Sequence, residues 1–171
     1  MHKTLSLVGA TFLLCLISVS ARADVSDYLG TRGESSRCPK VIVVRPELSE
    51  KNVFVPVDSS DLETASNMIG SAVAGKYQGS AVVTAKELET LKGCDVPVVL
   101  AKLESYTREP AIFGQYQGKA NVKILQFKSP DADAPNKEVE ITATGERHWG
   151  DSVPFMNAIQ AVCAKIQKTS F

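Results

Sequence analysis

The sequence predicts an α/β (α+β) fold in which a single mixed β-sheet of about five strands is packed by two main helices. Early in the chain, short β-branched runs alternate with a helical pattern, which favours parallel strand pairing. Later runs alternate apolar and polar residues on both sides of a polar loop, which is typical of antiparallel strands with one solvated face. A final stretch carries apolar residues at helical spacing, which predicts a second helix lying on the sheet.

The first part of the domain contains a strand and a long helix. The continuous run Lys40–Arg45 predicts a buried first strand. Alternating valines over Val53–Val57 predict a short strand or extended loop. Ser60-Asp61-Leu62-Glu63 matches a capping box, and the apolar residues after it recur at helical spacing. Gly75 is placed to end that helix.

The middle of the chain contains two strands separated by a short helix. Ser80–Val83 predicts a short strand, and Thr84-Ala85-Lys86-Glu87 is a second capping box that opens a helix closed by Gly93. A third strand carries Pro97 among its first residues, where proline is tolerated, and runs to about Tyr106.

The last part predicts a hairpin and the second main helix. Gly118–Phe127 and Glu138–Thr144 alternate apolar and polar residues, and the polar segment Lys128–Lys137 forms the loop between them. The final helix starts near Asp151–Pro154. Its apolar stripe contains Phe155, Ile159, Val162 and Ile166.

The amino terminus has the pattern of a secretory signal peptide. Met1–Ala23 has a basic start, an apolar run and the small-x-small ending Ala21-Arg22-Ala23. The apolar run is shorter than the ~20 residues of a membrane-spanning helix, although a retained anchor is the alternative. We therefore expect residues 1–23 to be removed, 24–37 to be a flexible leader, and 38–171 to form one domain that is periplasmic or secreted.

Composition excludes several classes of partner. All 19 acidic residues and all but two of the 19 basic residues lie beyond residue 23, so the mature charge is about −2. The charges form no block of one sign, and aromatic residues make up only 6% of the chain. We therefore predict no nucleic-acid partner, no integral membrane segment and no affinity for an anionic membrane. The oligomeric state is not defined by the sequence.

Three cysteines remain after the signal peptide, in an oxidising compartment that favours disulfides. Cys38 and Cys94 each precede an apolar β-type run, and parallel neighbouring strands would bring them within bridging distance. The pairing Cys38–Cys94 is therefore favoured, and the pairings of either residue with Cys163 stay open. Cys163 lies on the apolar face of the last helix, which is typical of a small buried hydrophobic residue.

Candidate chemistry is sparse. Gly70–Lys76 matches the first part of a phosphate-binding loop, but Tyr77 replaces the required Ser or Thr and the match lies inside a helix. Asp131 and Asp133 lie in the polar hairpin loop, which is typical of solvated turn residues rather than of a catalytic acid and base. No spacing of Cys or His residues fits a metal site. We predict no catalytic residues, no metal and no cofactor.

One segment is a candidate surface site. Arg147, His148 and Trp149 follow the last strand, and His148 is the only histidine beyond the signal peptide. A hydrolase would need a nucleophile beside His148, and the sequence contains no recognisable nucleophile elbow. The alternative is a surface histidine at a strand end, with Trp149 anchoring the strand-to-helix turn in the core.

The order of elements resembles the TolB amino-terminal-like and curli-secretion family of small envelope domains, an anticodon-binding-like arrangement. The similar segments are Val41–Val44, Val82–Leu88, Val98–Leu103 and Gly145–Trp149. The chain departs from that family where Lys102 replaces a usual glycine. The resemblance implies a non-enzymatic module that contacts other envelope proteins.

The leading functional hypothesis is therefore an exported, non-enzymatic domain that binds a protein partner in the bacterial cell envelope. One alternative is a secreted hydrolase that uses His148. Another alternative is a periplasmic carrier that holds a small ligand between the sheet and a helix.

Overall fold

The structure is a computed structural model that describes residues 38–49, 53, 57–91, 93–150 and 152–171. The predicted signal peptide and leader lie outside the described residues, as does Val55 of the predicted extended segment. Within the described ranges, no helix has the length and apolar character that a membrane crossing requires.

Five strands form one mixed sheet, which confirms the predicted fold class. They are β1 (Val41–Val44), β2 (Ser80–Val83), β3 (Val98–Pro110), β4 (Tyr116–Phe127) and β5 (Lys137–Thr144). Their spatial order is β2-β1-β3-β4-β5. β1 pairs in parallel with β2 and β3, whereas β3 with β4 and β4 with β5 are antiparallel. The parallel part therefore arises from β-α units and the antiparallel part from hairpins.

Two main helices cover one face of the sheet. They are α1 (Ser59–Ala74) and α3 (Ser152–Lys168), with a one-turn helix α2 (Ala85–Leu88) between them in the chain. The predicted stripe of α3 is fully buried against the sheet: Phe155, Ile159, Val162 and Ile166 are each 0% exposed. Burial of each such side chain stabilises the fold by roughly 1.5–3 kcal/mol relative to leaving it in water.

The opposite face of the sheet is only partly covered. A smaller core lies under α2 and the loop after it; its buried residues are Ile42, Val44, Ala81, Val83, Leu91, Cys94 and Val98. Over the antiparallel strands this face is polar, with ion pairs Lys102–Glu104 at 3.1 Å and Lys123–Glu138 at 2.7 Å. The sheet therefore has the solvated face that the alternating pattern predicts.

The first predicted capping box is wrong. α1 begins at Ser59, and its N-cap Asp58 makes no side-chain cap hydrogen bond. Ser60 is already helical, and its carbonyl accepts a hydrogen bond of 2.8 Å from the Thr64 hydroxyl. Since Asp58, Ser59 and Ser60 all favour N-cap positions, local preference does not decide between them, and the packing of α1 sets the start.

The second predicted capping box is confirmed. The Thr84 hydroxyl accepts from the Glu87 amide at 3.2 Å, and the Thr84 amide donates to the Glu87 carboxylate at 2.7 Å. α2 continues as a 3-10 turn over Glu89–Leu91 and ends before Gly93. Both reciprocal bonds satisfy amide groups that the start of a helix leaves without partners.

The predicted strand or extended loop over Val53–Val57 is wrong at Val53. Its amide donates to the Ser49 carbonyl at 3.3 Å, the spacing of a helical turn, and its side chain is fully buried. Burial of Val53 in the main core, rather than alternation along a strand, explains the apolar residue at this position.

The hairpin of β3 and β4 is longer than predicted. β3 continues past Tyr106 to Pro110, and β4 starts at Tyr116 rather than at Gly118. The strand register shifts between Leu103 and Ser105, so the apolar pattern loses its period of two at that point. Within β3, only Val98–Leu100 pair with β1, so the rest of the β3–β4 hairpin extends beyond β1 as an arm.

A disulfide closes the end of the sheet where the parallel strands begin. Cys38 and Cys94 are bonded, with 5.6 Å between their Cα atoms and a sequence separation of 56. Cys163 is a buried free thiol. The bridge therefore joins the residues that precede β1 and β3.

Candidate functional site

The predicted surface residues Arg147, His148 and Trp149 lie beside the start of β4. The Tyr116 amide donates to the His148 carbonyl at 2.8 Å, and the His148 amide donates to the Tyr116 carbonyl at 2.9 Å. This pair of hydrogen bonds fixes the segment after β5 along the arm of the long hairpin. All three side chains are exposed.

Trp149 is not the predicted core anchor, because 56% of it is exposed. The arm runs past the amino-terminal end of α3, so the helix does not cover this position. The indole instead lies against the turn between β3 and β4, where a β-carbon added to Gly114 would meet its Cζ3 atom at 3.1 Å.

The turn between β3 and β4 has an unusual sequence for its shape. The Gln115 amide donates to the Ile112 carbonyl at 3.4 Å, and both central residues have positive φ: 60° at Phe113 and 75° at Gly114. These angles define a type I′ turn, which favours Asn-Gly. A bulky aromatic residue in the left-handed region is disfavoured by roughly 1–2 kcal/mol.

Large hydrophobic side chains are exposed on the turn between β3 and β4 and on the segment from Trp149 to the start of α3. Among the described residues, the large hydrophobic residues with exposed side chains are Ile112 (58%), Phe113 (86%), Trp149 (56%) and Val153 (39%). Ile112 and Phe113 come from the turn, Trp149 follows β5, and Val153 lies in the first turn of α3. We call these four residues the apolar tip.

Two aromatic contacts lie further along the arm, toward the core. The Arg108 guanidinium stacks on the Tyr116 ring, with its central carbon 4.3 Å from the ring centroid. One step further into the core, Tyr106 and Phe155 meet edge to face, with centroids 5.2 Å apart. Burial raises the pKa of Tyr106 to about 12, although the Arg108 charge lowers it.

Two glycines let α3 approach the arm closely. A β-carbon on Gly118 would lie 2.3 Å from the Pro154 carbonyl oxygen, and one on Gly145 would lie 2.4 Å from the Ala158 amide nitrogen. The Gln117 side chain also donates to the Gly145 carbonyl at 2.9 Å. The base of the arm is therefore packed closely against α3, and the turn that carries Phe113 lies beyond this contact.

The His148 ring is exposed and contacts the backbone of the next residue. Its Nδ1 atom lies 2.8 Å from the Trp149 carbonyl oxygen, so the ring is oriented by the backbone beside it. Within the described part of the chain, no three His, Cys, Asp or Glu residues lie close enough to hold a metal ion.

Two concavities lie elsewhere on the molecule. The first, of about 280 Å³, lies near the carboxyl ends of β1 and β2, where the side chain of Arg45 donates a hydrogen bond to the side-chain Oδ1 atom of Asn67. The second, of about 350 Å³, lies at the opposite end of the sheet, and its apolar lining includes Val41, Pro97, Val98, Val99 and Phe127. We call the second one the basal cavity. Neither is lined by His148.

The remaining sequence-predicted positions lie apart from one another. Asp131 and Asp133 are exposed in the loop between β4 and β5. Gly70 lies in α1 and packs against Arg45, which follows β1. A β-carbon added to Gly70 would lie 2.9 Å from the Arg45 Cβ atom. Burial raises the pKa of the Cys163 thiol to about 12, so this thiol stays protonated at neutral pH.

The fold and the exposed tip define the chain as a small α+β domain with a projecting apolar surface. No protein-family model and no curated protein sequence matches it. Solved structures that are similar include a Xanthomonas campestris protein of the family DUF330, with 10% identity and a TM-score of 0.49, covering 81% of this chain and 85% of that one.

Two further structures are similar over comparable lengths. The PelC dodecamer from Paraburkholderia phytofirmans has 16% identity and a TM-score of 0.45, covering 77% of this chain and 90% of that one. The lipoprotein GNA1162 from Neisseria meningitidis has 16% identity and a TM-score of 0.38, covering 75% and 98%. The predicted kinship with the TolB and curli-secretion family is not confirmed by these comparisons.

Sequence reasoning missed Ile112 and Phe113, although one signal was present. Phe113-Gly114 lies between two strand patterns, where a two-residue turn would normally contain Asn-Gly. The glycine indicates a turn. The phenylalanine before it is unexpected, because that position of the turn favours asparagine. Such local departures are concentrated at functional sites.

Proposed function

We propose that this chain is a non-enzymatic accessory module of the bacterial cell envelope that binds protein partners through the apolar tip. The observation that carries the proposal is Phe113, which is 86% exposed and has a φ of 60°. Neither the core nor the turn gains from a phenylalanine at this position. A side chain that is unfavourable for the isolated domain is explained when a partner buries it.

The composition of the surroundings supports protein binding. Aromatic and arginine side chains contribute most to protein interfaces, and they act best where they are held rigid. Trp149, Tyr116 and Arg108 meet this condition, because the paired backbone of Tyr116 and His148 and the stacked guanidinium hold them in place. The apolar tip thus resembles a preorganised anchor with a polar and aromatic rim.

Two features support a location outside the cytoplasm. The Cys38–Cys94 disulfide needs an oxidising compartment, which the periplasm or the cell exterior provides. The signal-peptide pattern over residues 1–23 is in accord with export. A periplasmic or secreted module fits both.

A binding role also fits the position of His148 better than hydrolysis does. Its imidazole is exposed, and neither the 280 Å³ nor the 350 Å³ concavity includes it. Enclosure of the substrate strengthens the electrostatic interactions on which catalysis depends, and an open surface lacks that enclosure. We therefore assign His148 a structural role: its backbone fixes Trp149 on the arm.

The experiment is site-specific photocrosslinking in the native host. A photoreactive phenylalanine analogue is placed at position 113 of the full chain, and a matched one at Gln160, an exposed position on α3. We expect adducts with protein from position 113 at several times the yield from position 160. Adducts with lipid alone, or equal yields from the two positions, would contradict protein binding by the apolar tip.

A further inference from the structure

We propose that the partner of the apolar tip is a second copy of this chain, which receives Phe113 in its basal cavity. This inference rests on the proposed function, because it names the partner of the same surface. The geometry that carries it is the placement of an apolar projection and an apolar depression at opposite ends of one rigid hairpin.

The hairpin of β3 and β4 separates the two features. The basal cavity is lined by Val98 and Val99, which start β3, and by Phe127, which ends β4. The turn that carries Phe113 joins the other ends of the same strands. Since β3 has 13 residues, its two ends lie about 40 Å apart at the usual rise of a strand.

The basal cavity suits an aromatic side chain in size and chemistry. Its volume is about 350 Å³, at the small end of the range that holds organic ligands. Its wall is mainly aliphatic and aromatic, and Gln126, Lys128 and Asn136 contribute polar side chains at its edge. The half-buried Tyr77 hydroxyl also lines it and accepts a hydrogen bond of 3.0 Å from the Gln126 amide group.

Charged residues on the two surfaces can pair between copies. Lys128 lines the basal cavity, and Asp131 and Asp133 follow it in the exposed loop. Beside the apolar tip, Glu146 and Arg147 are exposed. Both surfaces therefore offer charges of each sign, so Arg147 can meet an aspartate and Glu146 can meet Lys128.

A contact between unlike surfaces leaves one free tip and one free cavity on every pair. Further copies then add in the same direction, and the assembly closes as a ring or continues as a filament. Because the contact is small, we expect association to increase with protein concentration. It should be detectable at a protein concentration of about 0.5 mM or below.

The test uses sedimentation velocity on the protein purified from its native host. Phe113→Asp disables the tip, and Asn136→Trp blocks the exposed rim of the basal cavity. We expect wild type to associate and each variant alone to be monomeric. A mixture of the two variants should form one-to-one dimers, because Asn136→Trp retains an intact tip and Phe113→Asp retains an intact cavity.

Pro97→Glu is a second cavity variant, used where Asn136→Trp lowers the melting temperature. Wild type that stays monomeric overturns the inference, and so does a cavity variant that associates as wild type does. Absence of dimers in the mixture overturns it as well. The proposed function stands separately: if position 113 crosslinks only to a different protein, the tip binds protein, but this chain is not its partner.

Discussion

Trp149 lies against Gly114, and a β-carbon added to that glycine would come within 3.1 Å of the indole Cζ3 atom. The contact joins the segment after β5 to the turn between β3 and β4. Since Trp149 is the only tryptophan in the chain, its fluorescence reports directly on the apolar tip.

Gly114→Ala should destabilise the domain by about 1–2 kcal/mol and shift the tryptophan emission, because alanine is strained at a φ of 75° and its methyl group displaces the indole. Urea unfolding and fluorescence spectra measure both effects. Gly93→Ala is the matched control, since a β-carbon there has no atom within 4 Å. Equal effects from the two variants would refute the contact.

Phe113→Asn should stabilise the domain by roughly 1 kcal/mol while it abolishes binding. Asparagine adopts the left-handed conformation readily, and the turn would then have the favoured Asn-Gly sequence. Thermal melting measures the gain. Ile112→Asn, at a neighbouring exposed position with no positive φ, should give no such gain. A loss of stability in Phe113→Asn would show that the phenylalanine packs against the domain.

Reduction of the Cys38–Cys94 disulfide should destabilise the domain by about 4 kcal/mol, the loop-entropy value for a separation of 56 residues. Urea unfolding with and without a reductant measures the change. The double variant Cys38→Ser, Cys94→Ser should match the reduced protein and show no further response to reductant. A free energy of unfolding that does not change when the reductant is added would mean that the disulfide is absent in solution.

Stability should fall in alkaline solution because of Cys163. Burial raises the pKa of its thiol from 9.0 to about 12, so above pH 9 the unfolded chain loses this proton while the folded chain retains it. The contribution is complete below pH 9 and is reduced by about 2 kcal/mol at about pH 10.5. Cys163→Ala should remove that part of the decline. An identical pH dependence in the variant would contradict the buried neutral thiol.

Tyr106→Phe should leave stability unchanged or raise it by about 1 kcal/mol. Among the described groups, the Tyr106 hydroxyl is buried and has no hydrogen-bond partner, so its removal relieves a desolvation cost. The edge-to-face contact with Phe155 remains available to phenylalanine. A loss of more than about 1 kcal/mol in urea unfolding would indicate a partner for the hydroxyl.

Periodicity predicted the fold class well, because most apolar residues of this chain serve the core. The alternation over β4 and β5 and the stripe from Phe155 to Ile166 each have one explanation, burial on one face. The favoured disulfide followed from the same reasoning, since Cys38 and Cys94 precede neighbouring parallel strands.

The apolar tip could not be predicted in the same way. The register shift after Leu103 interrupts the period of β3, so the sequence pattern ends near Tyr106 and hides the arm. Trp149 is a large apolar residue of the kind that is usually buried in a core. Its side chain is exposed because α3 does not cover it. The exposure of such a side chain depends on where strands and helices end relative to one another in the fold. The local pattern of apolar and polar residues does not contain that information.

We propose that a protein covers Phe113 in the native setting. The most direct measurement is the crosslinking yield from position 113, compared with that from position 160, in the intact host. We expect a discrete protein adduct that is specific to position 113 and is lost when Trp149 is replaced by serine. A tip that yields no protein adduct, or adducts with lipid alone, would contradict it.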